Sequence, residues 1–275
     1  MPSPSEALQP FSAVVLTGGS SGIGKSFIEL GQKLKPDLYF CNLSRRPLEK
    51  NSSENAEKYL NHFACDLSRP AEVEAAAAAV GQWLGQNVPA GRILLINNSG
   101  FGAFGRFPEP NLPRQLEMVD VNVRAVVHLT GLLLPLLRAR GGAIMNIAST
   151  VAFQPTAYAA TYGASKAFVL HWTLALNEEL RGSGVRAIAV CPGTTTTPFF
   201  RTAGLGDDAV LPSLAMTTEE VVIAALRALA TGRAQIVTGW KNKIYTFVGS
   251  KLPKPLVTRI AAGILARFRL NKAET

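Results

Sequence analysis

The sequence has few cysteines and few charged residues. Its three cysteines, Cys41, Cys65 and Cys191, are an odd number, lie far apart and sit in apolar runs, which argues against structural disulfides and against a metal site. Charged residues make up 17% of the 275-residue chain and hydrophobic residues 47%, so extended disorder is not expected. The first eleven residues have no basic region followed by an apolar one, so no secretion signal is predicted.

Long apolar runs are also scarce. The longest, 125–137, is interrupted by His128 and Pro135 and is shorter than the roughly 20 residues that span a bilayer. This run therefore predicts a buried helix. We expect a cytoplasmic protein. The C-terminal tail also allows peripheral contact with a membrane.

The positive charge is concentrated in that tail. The formal net charge is +9, and residues 241–275 contain eight basic residues and one acidic residue. On a helical wheel, Val257, Ile260, Ala261, Ile264, Leu265 and Phe268 share one side, whereas Arg259, Ala266 and Arg269 lie on the other. Such a basic amphipathic helix is typical of peripheral membrane contact, but it is equally compatible with a helix that folds over a substrate cleft or docks on a partner subunit. No motif for nucleic-acid recognition accompanies the charge, so no nucleic-acid partner is expected.

Short apolar runs alternate with helix-length segments throughout the chain. They lack strict polar alternation, which is typical of strands covered by helices on both faces. The pattern predicts a single-domain α/β Rossmann fold with a doubly wound, seven-stranded parallel sheet. We divide the chain into a flexible N-terminus, 1–11, a catalytic domain, 12–240, with a substrate flap at 194–216, and a basic amphipathic extension, 241–275. The predicted strands are 13–16, 38–43, 61–65, 92–96, 142–148, 185–191 and 233–238.

A glycine-rich turn follows the first predicted strand. Gly18, Gly22 and Gly24, with Ser20, Ser21 and Ile23 between them, permit close approach of the backbone to a pyrophosphate at a helix N-terminus. The turn lacks the Lys-Ser/Thr ending of a P-loop, and an ordinary strand-to-helix loop is the alternative.

The second predicted strand ends in Ser44-Arg45-Arg46. An arginine at this position can pair with a 2′-phosphate, which favours NADP(H) over NAD(H). Two solvated arginines at a strand end are the alternative.

Tyr162 and Lys166 lie four residues apart at the start of a predicted helix and therefore share one face. A phenol has a pKa of about 10. An ammonium group roughly 4 Å away, at an effective dielectric constant near 20, contributes on the order of 4 kcal/mol. That corresponds to about three pKa units, so we expect Lys166 to bring the tyrosine towards a useful pKa. Ser149 closes a predicted strand and can hydrogen-bond a substrate carbonyl, or it can simply cap a turn.

With these motifs the chain resembles the short-chain dehydrogenase/reductase family over about residues 11–238. The turn at 17–24, Asp66-Leu67, Asn97-Asn98-Ser99-Gly100, a serine thirteen positions before Tyr162, and Pro192-Gly193-xxx-Thr197 match its pattern in order. The resemblance implies a catalytic set of Asn122, Ser149, Tyr162 and Lys166, with Asn122 anchoring a water in a proton relay. It implies NADP(H) contacts from Gly18, Ser20, Ser21, Gly22, Ile23, Gly24, Ser44, Arg45, Arg46, Asp66, Leu67, Asn98, Ser99, Gly100, Tyr162, Lys166, Pro192, Gly193, Thr195 and Thr197.

Two positions depart from the family pattern. Gly19 stands where alanine is commoner and is expected only to loosen the turn, and Ser99 replaces the usual alanine beside the cofactor. The resemblance implies an NADPH-dependent carbonyl reductase that forms a homodimer or homotetramer. An apolar pocket around Phe101, Phe104 and Phe199 suggests a fatty, retinoid or steroid-like ketone or aldehyde, although these aromatics could equally be core residues. A catalytically idle NADPH sensor or scaffold is the competing interpretation.

Overall fold

The fold is built on one parallel sheet. The computed structural model describes residues 2–48, 58–204 and 215–269, and within them the sheet has seven strands. They are β1 (Phe11–Thr17), β2 (Tyr39–Ser44), β3 (Leu60–Ala64), β4 (Arg92–Asn97), β5 (Gly142–Ile147), β6 (Val185–Cys191) and β7 (Gln235–Val237). Their order is β3-β2-β1-β4-β5-β6-β7 and every pair is parallel, so the predicted doubly wound sheet is confirmed.

The order reverses at β1, because the chain first adds β2 and β3 on one side and then crosses to β4 on the other. In a doubly wound sheet a crevice opens at such a reversal, at the carboxyl ends of the strands. The glycine-rich turn after β1 and the Asn98-Ser99 segment after β4 both lie at this point. The topology therefore brings together two motifs that are about eighty residues apart in the sequence.

Helices cover both faces of the sheet. They are α1 (Pro4–Leu8), α2 (Gly22–Leu34), α3 (Pro70–Asn87), α4 (Leu112–Val119), α5 (Ala125–Arg140), α6 (Ala160–Glu179), α7 (Phe199–Thr202), α8 (Thr218–Ala230), α9 (Trp240–Lys251) and α10 (Lys254–Arg269). Alternate residues of a strand point to opposite faces. In β1, Ala13 and Val15 join the core formed with α3, α5 and α6, whereas Val14 and Leu16 join the core formed with α1, α2 and α8. Burial on both faces explains why the strands show no polar alternation.

The N-terminal segment differs from the expectation of a flexible 1–11. Ser3 and Glu6 form a reciprocal capping box at the start of α1, and Ala7 and Leu8 are buried in the core beside α2 and α8. Pro4 stands in the first turn of this helix, where its missing N–H costs nothing. Pro4 is therefore compatible with the helix that it begins.

The apolar run at 125–137 forms most of α5. Its buried residues, among them Leu129, Leu133 and Leu137, face the sheet and α3, while Val127 and Leu132 are exposed, so the predicted burial holds for one face only. Among the described residues, one continuous helical stretch, 112–140, is long and apolar enough to cross a membrane. Because α5 packs on β4 and β5, this stretch is a structural part of the α/β fold.

The C-terminal tail folds back over the open side of the crevice, which is one of the three arrangements that its sequence allowed. Val257 and Ala261 on α10 are buried, and the Nζ atom of Lys254 donates to the carbonyl oxygen of Phe153 at 3.1 Å. The predicted flap is described at both ends, where Thr195 and Met216 form a β-bridge. Its apolar residues Leu205, Val210, Leu211 and Leu214 lie outside the described residues.

Candidate active site

The glycines of the turn after β1 are required by close packing. Gly18 has a φ of +74°, and a Cβ atom there would lie 2.5 Å from Oγ of Ser99. A Cβ atom on Gly24 would lie 2.2 Å from the carbonyl oxygen of Gly18. These positions need glycine because the turn, the start of α2 and the end of β4 occupy the same small volume.

Gly19 contradicts the expectation that it merely loosens the turn. Its N–H donates to Oδ1 of Asn42 at 2.9 Å, and a Cβ atom on Gly19 would lie 2.7 Å from the same oxygen. Asn42 is buried in β2 and fills the space that an alanine methyl would take. The turn is therefore held by a side chain from the neighbouring strand, a partner that the sequence motif did not reveal.

Side chains at the ends of β1 and β4 tie the two strands together. The Oγ1 atom of Thr17 accepts from the N–H groups of Asn98 and Ser99, both at 3.0 Å. The Nδ2 atom of Asn98 donates to the carbonyl oxygens of Thr17 and Gly18, at 2.9 and 3.2 Å. Asn98 and Ser99 are thereby fixed against the glycine-rich turn.

The N-terminus of α2 has the arrangement expected of a phosphate site. The helix begins at Gly22, and no side chain among the described residues caps it at Ser21, so its first N–H groups remain available for an anion. Arg45 and Arg46 are exposed at the end of β2 and line the same cavity. The Nη1 atom of Arg45 lies 3.8 Å from Oε1 of Glu117. The side chains of Arg45 and Arg46 are nevertheless exposed, so their guanidinium groups are accessible to a ligand. The N–H groups of α2 and the guanidinium groups of Arg45 and Arg46 therefore fit the phosphates of a dinucleotide that carries a 2′-phosphate.

Tyr162 lies in the first turn of α6 and is almost fully buried. The rings of Phe104 and Phe199 flank it, with centroids 6.2 and 5.3 Å from its own. Burial raises the pKa of Tyr162 to about 12, and a hydrogen bond with Ser149 lowers it in part. The net shift is therefore upward and not the lowering expected from Lys166, because the loss of solvation dominates in this structure.

Lys166 is one helical turn further along α6 and is also buried. Its Nζ atom donates to the carbonyl oxygen of Ile147, at the end of β5, at 2.8 Å. Burial lowers the pKa of Lys166 to about 8. Ser149 follows the same strand, lines the cavity and accepts the N–H of Val151 at 3.3 Å, so it does cap the turn at 150–153, as the alternative interpretation held.

Asn122 is completely buried in a π-helical turn, Asp120–Arg124, that joins α4 to α5. Its Oδ1 atom accepts the N–H of Phe101 at 3.1 Å, and its Nδ2 atom donates to the carbonyl oxygen of Phe101 at 2.9 Å and to Oγ of Ser165 at 3.1 Å. A Cβ atom on Gly100 would lie 3.1 Å from both Asn122 Oδ1 and Lys166 Nζ. Asn122 thus positions the segment after β4 from behind the cavity wall.

A cavity of about 820 Å³ joins these groups. Of the predicted site residues it is lined by Gly18, Ser20, Ser21, Gly22, Ile23, Ser44, Arg45, Arg46, Asp66, Leu67, Asn98, Ser99, Gly100, Ser149, Tyr162, Lys166, Pro192, Gly193, Thr195 and Thr197. Gly24 and Asn122 lie behind its wall. The lining also includes residues that the sequence reasoning did not assign, namely Gln154, Thr156, Tyr158, Lys241, Asn242 and Tyr245. Those on α9 could not be found from a motif because they reach the site only through the fold of the tail.

Comparisons with known proteins agree with this geometry. A family model for short chain dehydrogenases matches residues 12–207. An uncharacterized oxidoreductase from Staphylococcus epidermidis is 31% identical over 200 residues, which cover 70% of this chain and 82% of the relative. A putative ketoacyl reductase from Streptomyces coelicolor is 32% identical over 200 residues, covering 70% of this chain and 74% of the relative.

Among solved structures, a short-chain dehydrogenase from Sphingobium yanoikuyae in complex with NADPH superposes with a TM-score of 0.72 and 28% sequence identity, covering 89% of this chain and 97% of that one. The matched region includes the glycine-rich turn, Ser149, Tyr162 and Lys166. On the family match, the curated relatives and the shared fold, this chain belongs to the short-chain dehydrogenase family and is an oxidoreductase of that type.

Proposed function

We propose that the protein is an NADPH-dependent reductase of apolar ketones or aldehydes. The observation that carries the proposal is the placement of Tyr162, whose buried side chain lines, together with Ser149, the cavity that runs from the phosphate-type turn to an aromatic wall. A phenol with a pKa of about 12 remains protonated near neutral pH. It is therefore ready to donate a proton to a carbonyl oxygen, which is the step that reduction requires.

The cofactor proposal depends on the donors at the other end of the cavity. The uncapped N-terminus of α2 supplies N–H groups for the pyrophosphate, and Arg45 and Arg46 supply guanidinium groups for a 2′-phosphate. The Sphingobium yanoikuyae relative was solved in complex with NADPH, which supports the same choice. When bound, the reduced nicotinamide would supply the hydride.

The protein's own groups would then act on the carbonyl oxygen. The Oγ atom of Ser149 donates a hydrogen bond to this oxygen and stabilises the negative charge that develops on it. The Tyr162 hydroxyl delivers the proton to the same atom. Lys166, held by the carbonyl oxygen of Ile147, keeps an ammonium group close to the tyrosine and stabilises the phenolate that remains.

The proposed substrate class is inferred from the outer part of the cavity. Phe101, Phe104 and Phe199 form an apolar cluster with Tyr162, and Leu265 of α10 packs against it. Such a wall favours a hydrophobic group next to the carbonyl over a charged one. A fatty, retinoid or steroid-like carbonyl fits these requirements.

Homo-oligomerisation remains a prediction. Val127 and Leu132 on α5 and Phe168 on α6 are exposed apolar residues on the two helices that we expect to pair between subunits. Light scattering during size-exclusion chromatography will measure the assembly, and a monomer at all concentrations would contradict this expectation.

The function is tested by the Tyr162→Phe variant, which removes one hydroxyl and keeps the ring. NADPH oxidation is followed across a series of carbonyls of increasing chain length and ring size. We expect turnover to fall by about 10²-fold to 10⁴-fold, because that is the usual contribution of a positioned acid. The dissociation constant for NADPH, measured by fluorescence titration, should change little.

Tyr158→Phe is the matched control, because it removes a second tyrosine hydroxyl from the lining of the same cavity. It should retain most of the activity. Unchanged turnover in Tyr162→Phe would refute the assignment. A wild-type protein that binds NADPH tightly but reduces none of the carbonyls would instead favour the idle sensor or scaffold.

A further inference from the structure

The outer face of α9 carries a row of exposed apolar side chains. Trp240, Ile244, Phe247 and Val248 follow the helical period and point away from the protein, with exposed fractions of 67%, 57%, 65% and 48%. The opposite side of the helix is buried through Thr246 and Gly249. This pattern reverses that of an ordinary surface helix, because the inner side carries small or polar residues and the outer side carries the large apolar ones.

The next helix also exposes apolar side chains. Leu256 and Ile260 of α10 are 47% and 50% exposed, whereas Val257 and Ala261 are buried, so Ile260 faces away from the protein although the helical wheel groups it with those two residues. A row of large apolar side chains such as the one on α9 is rare on the surface of soluble monomers and marks a site of interaction. We call these six residues, Trp240, Ile244, Phe247, Val248, Leu256 and Ile260, the outer apolar face.

Basic residues border the outer apolar face. Residues 240–263 contain five of them, Lys241, Lys243, Lys251, Lys254 and Arg259, and no acidic residue. All five are exposed, although Lys241 also lines the cavity and the Nζ atom of Lys254 donates to the carbonyl oxygen of Phe153. Long basic side chains can lay their stems along an apolar surface while their charges reach outward. The whole segment therefore combines apolar side chains with a single sign of charge.

We propose that α9 and the start of α10 form a docking surface for an anionic lipid bilayer. The apolar side chains would enter the boundary between headgroups and acyl chains, and the lysines would lie at the level of the anionic headgroups. Trp240 is suited to this boundary because its ring is apolar and its N–H can meet water or headgroups.

The charge distribution favours a lipid surface over a second copy of this chain. A symmetric pairing through the outer apolar face would place the lysines of one copy opposite those of the other, and such like-charge contacts are unfavourable. An anionic bilayer instead supplies many negative charges to a face that has only positive ones. The surface adjoins the cavity, since Tyr245 and Leu265 of the same helices line it, but the docking proposal does not depend on turnover.

The test is flotation of the full-length protein with vesicles of phosphatidylcholine alone or of phosphatidylcholine mixed with phosphatidylserine. We expect flotation with the anionic vesicles and little with the neutral ones. Lys243→Glu with Lys251→Glu should lower the partition coefficient by roughly fivefold or more for each residue, which corresponds to about 1 kcal/mol per basic residue near a charged surface. Trp240→Ser with Phe247→Ser should abolish flotation with the anionic vesicles.

Matched controls lie elsewhere on the surface. Leu116→Ser on α4 removes an apolar residue that is 57% exposed, and Lys33→Glu on α2 reverses an exposed charge, so neither should alter flotation. Contact with lipid is checked directly by quenching of tryptophan fluorescence with brominated lipids. Quenching should be strong in the wild type and largely lost in Trp240→Phe, because Trp83 and Trp172 are partly buried in the core.

Several results would overturn the proposal. They are a wild type that stays with the soluble fraction in both vesicle types, equal binding of the outer-face variants and their controls, or binding that ignores lipid charge. Light scattering of the same variants tests whether the outer apolar face instead binds a second copy of the chain. If Trp240→Ser with Phe247→Ser dissociates an oligomer while no protein floats, the surface joins two copies of the chain and does not bind lipid.

Discussion

The contact between Gly19 and Asn42 gives the sharpest test of the structure at the cofactor turn. Gly19→Ala would place a methyl carbon 2.5 Å from Cδ1 of Ile28 and 2.7 Å from Oδ1 of Asn42. The end of the isoleucine can move, but the asparagine is held by its hydrogen bond to the Gly19 N–H. Overpacking of this kind typically costs about 1–3 kcal/mol of unfolding free energy. We expect Gly19→Ala to lose that amount and to bind NADPH more weakly.

A substitution of Asn42 tests the same contact from its other side. Asn42→Ala leaves the Gly19 N–H without its acceptor, at a cost of about 1–3 kcal/mol. It also removes the Nδ2 atom of Asn42, which is buried and has no hydrogen-bond partner among the described residues, so the cost should fall at the lower end. In the double variant the new methyl occupies space that the asparagine has left. The double variant should therefore lose less unfolding free energy than the sum of the two single variants, by about 0.5–3 kcal/mol.

Urea unfolding of the two single variants, the double variant and the wild type completes a double-mutant cycle, with an NADPH titration of each. Gly85→Ala is the control, because Gly85 lies on exposed α3 surface with no atom within 4 Å of the added carbon. It should be neutral or stabilising by up to about 1 kcal/mol, as expected for glycine in a helix. Additive losses, or a harmless Gly19→Ala, would refute the proposed contact.

Three further predictions concern the ends of the cavity and its buried charge. Arg45→Ala with Arg46→Ala should raise the dissociation constant of NADPH much more than that of NADH, and an equal rise for both would contradict the 2′-phosphate assignment. Leu265→Ala should shift turnover towards bulkier carbonyls, whereas Leu256→Ala on the outside of α10 should not. Lys166→Met should be compared with the wild type by urea unfolding between about pH 7 and pH 9.5 without cofactor. Because the folded pKa of Lys166 is lowered to about 8 from 10.5, the unfolded chain binds the extra proton in this window, and wild-type stability should rise relative to the variant by about 2 kcal/mol. If the difference in unfolding free energy between the wild type and Lys166→Met does not change with pH, the folded protein does not lower the pKa of Lys166.

The sheet and most of the cavity lining could be predicted because their signals are local. Each strand is a short apolar run, and the turn at 18–24 follows the first of them directly. The carboxyl ends of parallel strands meet at one edge, so residues that follow strands, such as Asn98, Ser149 and Gly193, had to converge there. Element order alone therefore placed residues from distant parts of the sequence in one cavity.

The features that sequence reasoning missed depend on contacts between distant segments. Asn42 looks like any other strand residue until β2 is placed beside the turn, where its side chain meets Gly19. Tyr245 and Leu265 belong to a tail whose composition suited a membrane, a cleft or a partner equally well. Only the packing of α10 shows that Val257 and Ala261 face the protein. It also shows that Ile260 is exposed and can contact another surface.

The pair at the centre of the site shows why spacing is not enough to assign an ionisation state. The separation of Tyr162 and Lys166 suggests a Coulomb interaction that favours a phenolate. Burial acts on both groups and favours the neutral form of each, so the pKa of the tyrosine rises while that of the lysine falls. A protonated phenol beside a lysine that is only moderately basic is the charge state needed to deliver a proton to a carbonyl. The depth of the site, which the sequence does not encode locally, therefore decides the direction in which each pKa moves.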